Sequence, residues 1–175
     1  MGGQAGLVRL VHPRDLGALA EIHAHWVTGS HVTFETQPWD AERWMGALDD
    51  ARRAGHPWWV VEGSGGVDGY LRTGPFRPAP AYRPTVESSV YLRPAAMGRG
   101  LGRRLGRRLY ETGLPALAET GFANALALIA LPNAASVALH ERVGFRGVGE
   151  LDRVGNKLDE WWSVGIYQRA LGVPR

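Results

Sequence analysis

The chain has 175 residues, a net charge of +3 and no cysteine, which suits one domain with a sizeable core and excludes disulfides and thiolate metal sites. No apolar run approaches the roughly 20 residues needed to cross a bilayer, and the first ten residues lack the charged-then-apolar order of a signal peptide. The expectation is a single domain over residues 1–175, cytoplasmic, with no membrane attachment and no metal.

Residues 7–12 alternate in part and read as a first strand. Residues 13–27 follow as a helix with Asp15 in its first turn, and 28–38 form an irregular connector. Asp40 can cap a second helix running to about residue 54, with Glu42 in its first turn. A strand over 58–62, the turn Gly63-Ser64-Gly65-Gly66 and a strand over 67–76 make a hairpin. Residues 77–84 hold three prolines and read as a loop. A strand over 85–92, a glycine-rich turn and a helix over 100–120 come next; Pro115 should kink or split that helix. An apolar strand over 123–131, a helix over 133–144 and strands over 145–153 and 161–169 complete the chain. The order β-α-α-β-β-β-α-β-α-β-β implies an α/β (α+β) fold with a mixed sheet and helices on its faces.

The most informative stretch is Arg93-Pro94-Ala95-Ala96-Met97-Gly98-Arg99-Gly100-Leu101-Gly102. It joins a strand to a helix whose Leu101, Leu105 and Leu109 recur at helical spacing. Such a turn offers backbone N–H groups and the positive end of a helix dipole to phosphate oxygens. It is not a Walker loop, because no Gly-Lys-Ser/Thr follows. Gly98 and Gly100 fit the first two glycines of a dinucleotide fingerprint, but Arg103 stands where the third belongs. A phosphate cradle and a plain tight turn both remain open on the loop alone.

Nineteen of the 20 basic residues are Arg. Arg99, Arg103, Arg104, Arg107 and Arg108 cluster at this turn and helix. Arg107 and Arg108 read as a solvated face, whereas Arg99, Arg103 and Arg104 could meet phosphates. A patch this local suits one polyanionic small molecule rather than a duplex, so no nucleic-acid partner is expected.

Glu87 stands in a strand of otherwise uncharged residues, where a carboxylate is out of place unless paired or employed. A partly buried Glu has a raised pKa and becomes a better proton acceptor near neutrality. The alternative is a solvated strand face with Glu87 paired to Arg77 or Arg83.

Together and in order, several motifs resemble the GNAT N-acetyltransferase superfamily, and within it the phosphinothricin and methionine sulfone/sulfoximine acetyltransferase group. They are His25 with Thr33-Phe34-Glu35; Gly74-Pro75-Phe76-Arg77 with Ala81-Tyr82-Arg83; Thr85-Val86-Glu87-Ser88-Ser89-Val90-Tyr91; the glycine turn; Leu131-Pro132-Asn133-Ala134-Ala135-Ser136; Leu139-His140-Glu141; and Gly144-Phe145. The resemblance covers about residues 8–171. It implies a mostly antiparallel sheet of six or seven strands with about four helices, its fourth and fifth strands splayed. Three features depart from the group's pattern: Met97 where the turn usually opens with Gln or Arg, Pro84 beside the substrate loop, and Asn156, Asp159 and Ser163 near the C-terminus.

The same resemblance implies acetyl-CoA as co-substrate and an amino-acid-like amine as acceptor; separately, seven Trp residues suit the interface of a homodimer. Its pantetheine arm would bond to Val90, Tyr91 and Leu92, one of whose N–H groups would face the thioester oxygen. The diphosphate would rest on Gly98, Arg99, Gly100, Leu101, Gly102 and Arg103, with Asn133 and Ser136 as a second contact. Glu87 would be the base. His140 would be the acid that protonates the thiolate, or else a packed helix residue. Phe34, Glu35, Arg77, Tyr82, Arg83 and Thr85 would surround the acceptor, with Arg72 as a further anion-binding cation. Acetylation of another amine, such as a peptide N-terminus or an antibiotic, and a non-catalytic coenzyme-binding module are the alternatives.

Overall fold

A computed structural model describes residues 6–63 and 65–172; Ser64 of the hairpin turn lies outside it, as do the side chains of residues 98–100. Seven strands form one sheet in the order β1-β2-β3-β4-β5-β7-β6. They are β1 (Leu7–Leu10), β2 (Trp59–Gly63), β3 (Gly66–Pro75), β4 (Thr85–Leu92), β5 (Asn124–Leu131), β6 (Arg146–Lys157) and β7 (Glu160–Ala170). Four helices cover it: α1 (Leu16–Gly29), α2 (Ala41–Arg53), α3 (Leu101–Glu119) and α4 (Ala134–Arg142). Every pairing is antiparallel except that of β4 with β5. Among the described residues no helix is long and apolar enough to cross a membrane.

Alternation along the strands sorts the core into two layers. On β2, Trp59 and Val61 face a layer with Leu105, Leu109 and Leu117 of α3. Trp58 and Val60 face the other side, with Leu19 and Ile22 of α1 and Trp44 and Leu48 of α2. Two glycines let α3 lie close: a Cβ on Gly106 would meet Leu139 of α4 at 2.7 Å, and one on Gly113 would meet Leu71 of β3 at 2.7 Å.

The helix ends follow their local chemistry. Asp40 caps α2 by accepting from the Arg43 N–H at 2.8 Å. Residues 13–15 form a 3-10 turn ahead of α1 rather than part of it. Asp15 accepts there from the His12 N–H at 2.8 Å and from both terminal nitrogens of Arg9 at 2.7 and 2.8 Å. Arg9 holds the Asp15 carboxyl below its usual range.

Two expectations change. Pro115 does not split α3, which runs unbroken to Glu119. Pro115 and Glu111, whose carbonyl loses its partner, both lie on the exposed face, while Leu114 and Leu117 are buried and hold the helix down. The glycine turn is no open loop but a 3-10 turn over Pro94–Gly100 that leads straight into α3.

Candidate active site

The sheet opens at its centre. β4 pairs with β5 only at Thr85↔Asn124, Val86↔Ala125 and Glu87↔Leu126. Beyond that point β4 stays bonded to β3 as far as Leu92, and β5 stays bonded to β7 as far as Leu131. Each strand therefore keeps one neighbour and leaves a row of backbone groups facing the gap. Two side chains satisfy part of that row. Ser88 Oγ donates to the Leu126 carbonyl at 3.0 Å, one residue past the last ladder pair. The Trp26 indole N–H of α1 donates to the Leu92 carbonyl at 2.9 Å.

The gap forms a slot of about 550 Å³. Val90, Tyr91 and Leu92 make one wall and Ala127 to Ala130 the other; Gly102 and Arg103 of α3 and Asn133 and Ser136 of α4 stand at its rim. Asn133 caps α4 by accepting from the Ser136 N–H at 3.1 Å. Leu101 is half-buried at the start of α3. A Cβ on Gly102 would lie 3.1 Å from Met97 Cα, so glycine lets the turn press against the helix there. Of Gly98, Arg99 and Gly100 only the backbone course in the turn is described.

A second cavity, about 420 Å³, lies on the opposite side of β4 beneath α2. Arg72, His56, Glu87 and Ser89 line it. Ser89 lines both cavities and so stands between them. The register sets Arg72 opposite Ser89 and Gly74 opposite Glu87, which brings the Arg72 and Glu87 side chains to one face. Burial pushes the Glu87 carboxyl above its ordinary pKa, and Arg72 pulls it partly back. Among the described residues Glu87 has no ion-pair partner, Arg77 and Arg83 included. The Arg72 guanidinium lies 4.8 Å from the centre of the Trp39 ring and likewise has no ion-pair partner among them.

His140 is buried behind the slot. Its Nε2 lies 2.8 Å from the Tyr110 hydroxyl and its Nδ1 lies 2.8 Å from the Ser136 main-chain oxygen. Tyr110 in turn lies 3.3 Å from Ser88 Oγ. Both ring nitrogens are thus engaged, and burial lowers the His140 pKa, so the ring is neutral at neutral pH.

The expected acceptor residues are spread more widely. Phe34 packs against Gly155 of β6, where any Cβ would collide with its ring. Glu35 pairs with Arg43 at 2.9 Å. The connector carrying both is tied to the β6–β7 hairpin: Lys157 Nζ donates to the Thr33 carbonyl at 2.7 Å, and His31 stacks on Trp162 at 3.9 Å. Arg77 lies 5.2 Å from the centre of the Phe76 ring, which Tyr82 meets edge-on at 5.5 Å. Arg83 is exposed and Thr85 is half-buried at the start of β4. None of these six lines either cavity. Arg72, expected as a further anion-binding cation, does line the second cavity, and His56 and Ser88 are residues the structure adds to the two linings. A third cavity, about 910 Å³, lies elsewhere, among Arg107, Glu111, Arg142 and Arg169. Its carboxylate, Glu111, is paired with Arg107 at 2.7 Å.

A sheet parted between its parallel strand pair, with a slot on one face of β4 and a half-buried carboxylate on the other, has room for an acyl donor and an acceptor on the two sides of one strand. Residues 7–146 match the acetyltransferase (GNAT) domain, and the chain belongs to the GNAT family: it is an acetyl-CoA-dependent N-acetyltransferase. It is 36% identical over 167 residues to phosphinothricin N-acetyltransferase of Streptomyces viridochromogenes, covering 95% of this chain and 88% of that protein. It is 32% identical to the L-methionine sulfoximine/L-methionine sulfone acetyltransferase of Salmonella typhimurium, covering 94% of each. Among solved structures, a phosphinothricin acetyltransferase from Sinorhizobium meliloti in complex with acetyl-CoA superposes with a TM-score of 0.90 at 29% identity, covering 97% of this chain and 90% of that one. The ribosomal-protein-alanine N-acetyltransferase of Brucella melitensis superposes with a TM-score of 0.85 at 35% identity, covering 94% and 99%.

Proposed function

We propose that the protein acetylates the α-amine of a small amino-acid analogue of the phosphinothricin or methionine sulfoximine/sulfone type, by direct transfer with both substrates bound. The observation that carries this reading is that Ser89 of β4 lines both cavities. An acyl group laid along the β4–β5 slot reaches, at the slot's closed end, the chamber that holds Glu87 and Arg72. Holding both reactants there supplies much of the rate, since good positioning is worth roughly 7–11 kcal/mol.

The residues fit the coenzyme. The slot is narrow, largely apolar and edged by unladdered backbone of Val90, Tyr91 and Leu92, one of whose N–H groups faces the thioester oxygen. The turn over Gly98, Arg99 and Gly100 and the start of α3 at Leu101, Gly102 and Arg103 take the diphosphate, where the helix dipole favours negative charge. Asn133 and Ser136 contact the arm from α4.

Glu87 accepts the proton of the attacking amine, directly or through water. Arg72 holds the acceptor's carboxylate in a forked pair. Phe34, Glu35, Arg77, Tyr82, Arg83 and Thr85 form an outer ring around the entrance rather than the chamber wall. His140 has no free nitrogen for the leaving sulfur; it fixes the Tyr110 hydroxyl beside Ser88. The likeness to a ribosomal-protein-alanine N-acetyltransferase favours a second reading, a peptide N-terminus as acceptor. The chamber's small volume favours a free amino acid.

A panel of free amino acids, their sulfone, sulfoximine and phosphinate analogues, and Ala-initiated peptides, assayed by thiol release, separates these readings. Turnover of the analogues supports the proposal, and turnover of the peptides alone discards it. Arg72→Ala should raise KM for a carboxylate-bearing acceptor by about tenfold to a hundredfold, the loss of one charge-assisted contact. KM for acetyl-CoA should not change. An unchanged acceptor KM would remove Arg72 from the site.

The reading extends to a cytoplasmic homodimer. β6 is an edge strand with Val148, Leu151 and Val154 each about half exposed, and Trp161 of β7 is 62% exposed beside it. These three valine and leucine side chains with Trp161 are the apolar part of a mixed edge that a second copy covers; sedimentation at a monomer mass would discard that part.

A further inference from the structure

The slot's closed end has a hydroxyl whose hydrogen can point in only certain directions. Ser88 shares its face of β4 with Val86, Val90 and Leu92, which pack in the core beneath α3 and α4. It is 2% exposed, and it stands one residue past the last β4–β5 ladder pair. Its oxygen lies 3.3 Å from Tyr110 Oη and 3.0 Å from the Leu126 carbonyl.

The donors along this row can be assigned from the far end. The Ser136 main-chain oxygen only accepts, so His140 Nδ1, 2.8 Å away, carries the ring proton. The ring is neutral, so Nε2 presents a lone pair, and Tyr110 Oη at 2.8 Å must donate to it. Tyr110 has then spent its only hydrogen. It cannot donate to Ser88 and can only accept. Ser88 is therefore fixed as a donor, its one hydrogen shared between the Leu126 carbonyl, Tyr110 and whatever lies in the slot. No charged side chain takes part in the row, and Phe145 and Tyr167 close its remaining sides with rings 5.2 and 6.5 Å from His140.

We propose that Ser88 is the hydrogen-bond donor to the departing coenzyme sulfur, and that Tyr110 and His140 are positioning residues that keep it a donor. This rests on acetyl-CoA occupying the slot. If the acyl carbon meets the amine at Ser89, the adjoining sulfur lies beside Ser88. As the carbon–sulfur bond breaks, the electron pair goes to sulfur, and the Ser88 hydrogen turns from the Leu126 carbonyl toward the new charge. Ser88 keeps its proton throughout. The thiolate takes its own proton from water when the product leaves. Hydrogen bonding to the charged form lowers a thiol's pKa, so the arrangement makes the thiolate a better leaving group.

The test uses coenzyme A bound to the full-length protein, with the thiol titrated by the ultraviolet absorbance of its thiolate. In the wild type the bound thiol should ionise at lower pH than free coenzyme A. Ser88→Ala should move it back toward the free value and lower kcat by about tenfold to a hundredfold, with KM for the acceptor unchanged. Ser88→Thr, which keeps a hydroxyl, should restore most of both. Tyr110→Phe removes an acceptor that competes for the Ser88 hydrogen and leaves the donor in place, so the bound thiol should ionise no higher than in the wild type, unlike Ser88→Ala, while His140 in the uncomplexed variant shows altered ring-nitrogen NMR shifts. Coenzyme A that binds with the same thiol pKa in wild type and Ser88→Ala overturns the proposal and spares the slot. Coenzyme A that fails to bind at all overturns both.

Discussion

Glu87→Gln should lower kcat/KM by about a hundredfold to ten-thousandfold, the range for removing a positioned general base, while leaving the affinity for acetyl-CoA unchanged. The amide is the same size as the carboxyl and breaks no ion pair among the described residues. Glu87 lines the acceptor chamber and not the slot, so the coenzyme is untouched. The pH profile is the sharper readout. A base works only when deprotonated, and burial raises the Glu87 pKa. Wild-type kcat/KM should therefore climb with pH through a value above the ordinary 4.5, and the variant should lose that limb. The folding linkage has the matching sign. A carboxyl whose pKa is higher in the folded protein than in the unfolded chain favours folding most at low pH. That contribution fades as pH rises through the folded value. At neutral pH the charged carboxylate is thus a burden, and Glu87→Gln should melt no lower than the wild type. A full acid limb in the variant would reject Glu87 as the base.

Gly102→Val should cost at least about tenfold in acetyl-CoA affinity. A Cβ at this position already lies 3.1 Å from Met97 Cα and 3.5 Å from Leu92 Cδ1, and valine adds two methyl groups beyond it. They must either push the 3-10 turn off the start of α3 or enter the slot. Overpacking of this kind costs about 1–3 kcal/mol, and roughly 1.4 kcal/mol is one decade in binding. The fold should survive, because Leu105, Leu109 and Leu117 anchor α3 further along. Gly46→Ala on α2 is the control: its Cβ would meet nothing within 4 Å, so affinity should hold. Calorimetry giving equal affinities for Gly102→Val and the wild type would reject the cradle at this turn.

Much of the architecture could be read from residue patterns. The strand expected over 85–92 is β4 as observed, Thr85–Leu92, because β-formers run up to a proline and glycine turn. Asp40 and Asn133 both cap the helices they precede. Pro115 misled because a proline's cost depends on which face it occupies, and that face is fixed by tertiary packing. The parting of β4 from β5 was legible only through family resemblance. Nothing in either strand's composition says that a ladder stops after three pairs.

The site divides the same way. Glu87 stood out as a lone carboxylate among uncharged strand residues. The partnership of Arg72 with Trp39, the bond from Ser88 to Leu126 and the row from Tyr110 to His140 did not. Each joins elements far apart in sequence, and each depends on strand register or helix rotation rather than on local pattern. The loop residues Arg77, Tyr82 and Arg83 show the converse, since motif matching groups them with the acceptor while the fold sets them outside the chamber.

The most direct measurement is a crystal structure of the protein grown with acetyl-CoA. The pantetheine arm should lie between Val90–Leu92 and Ala127–Ala130, with the diphosphate over the start of α3 and the acetyl carbon at Ser89 facing Glu87. A coenzyme bound elsewhere, or a gap filled by the protein's own side chains with saturating coenzyme in solution, would contradict the account.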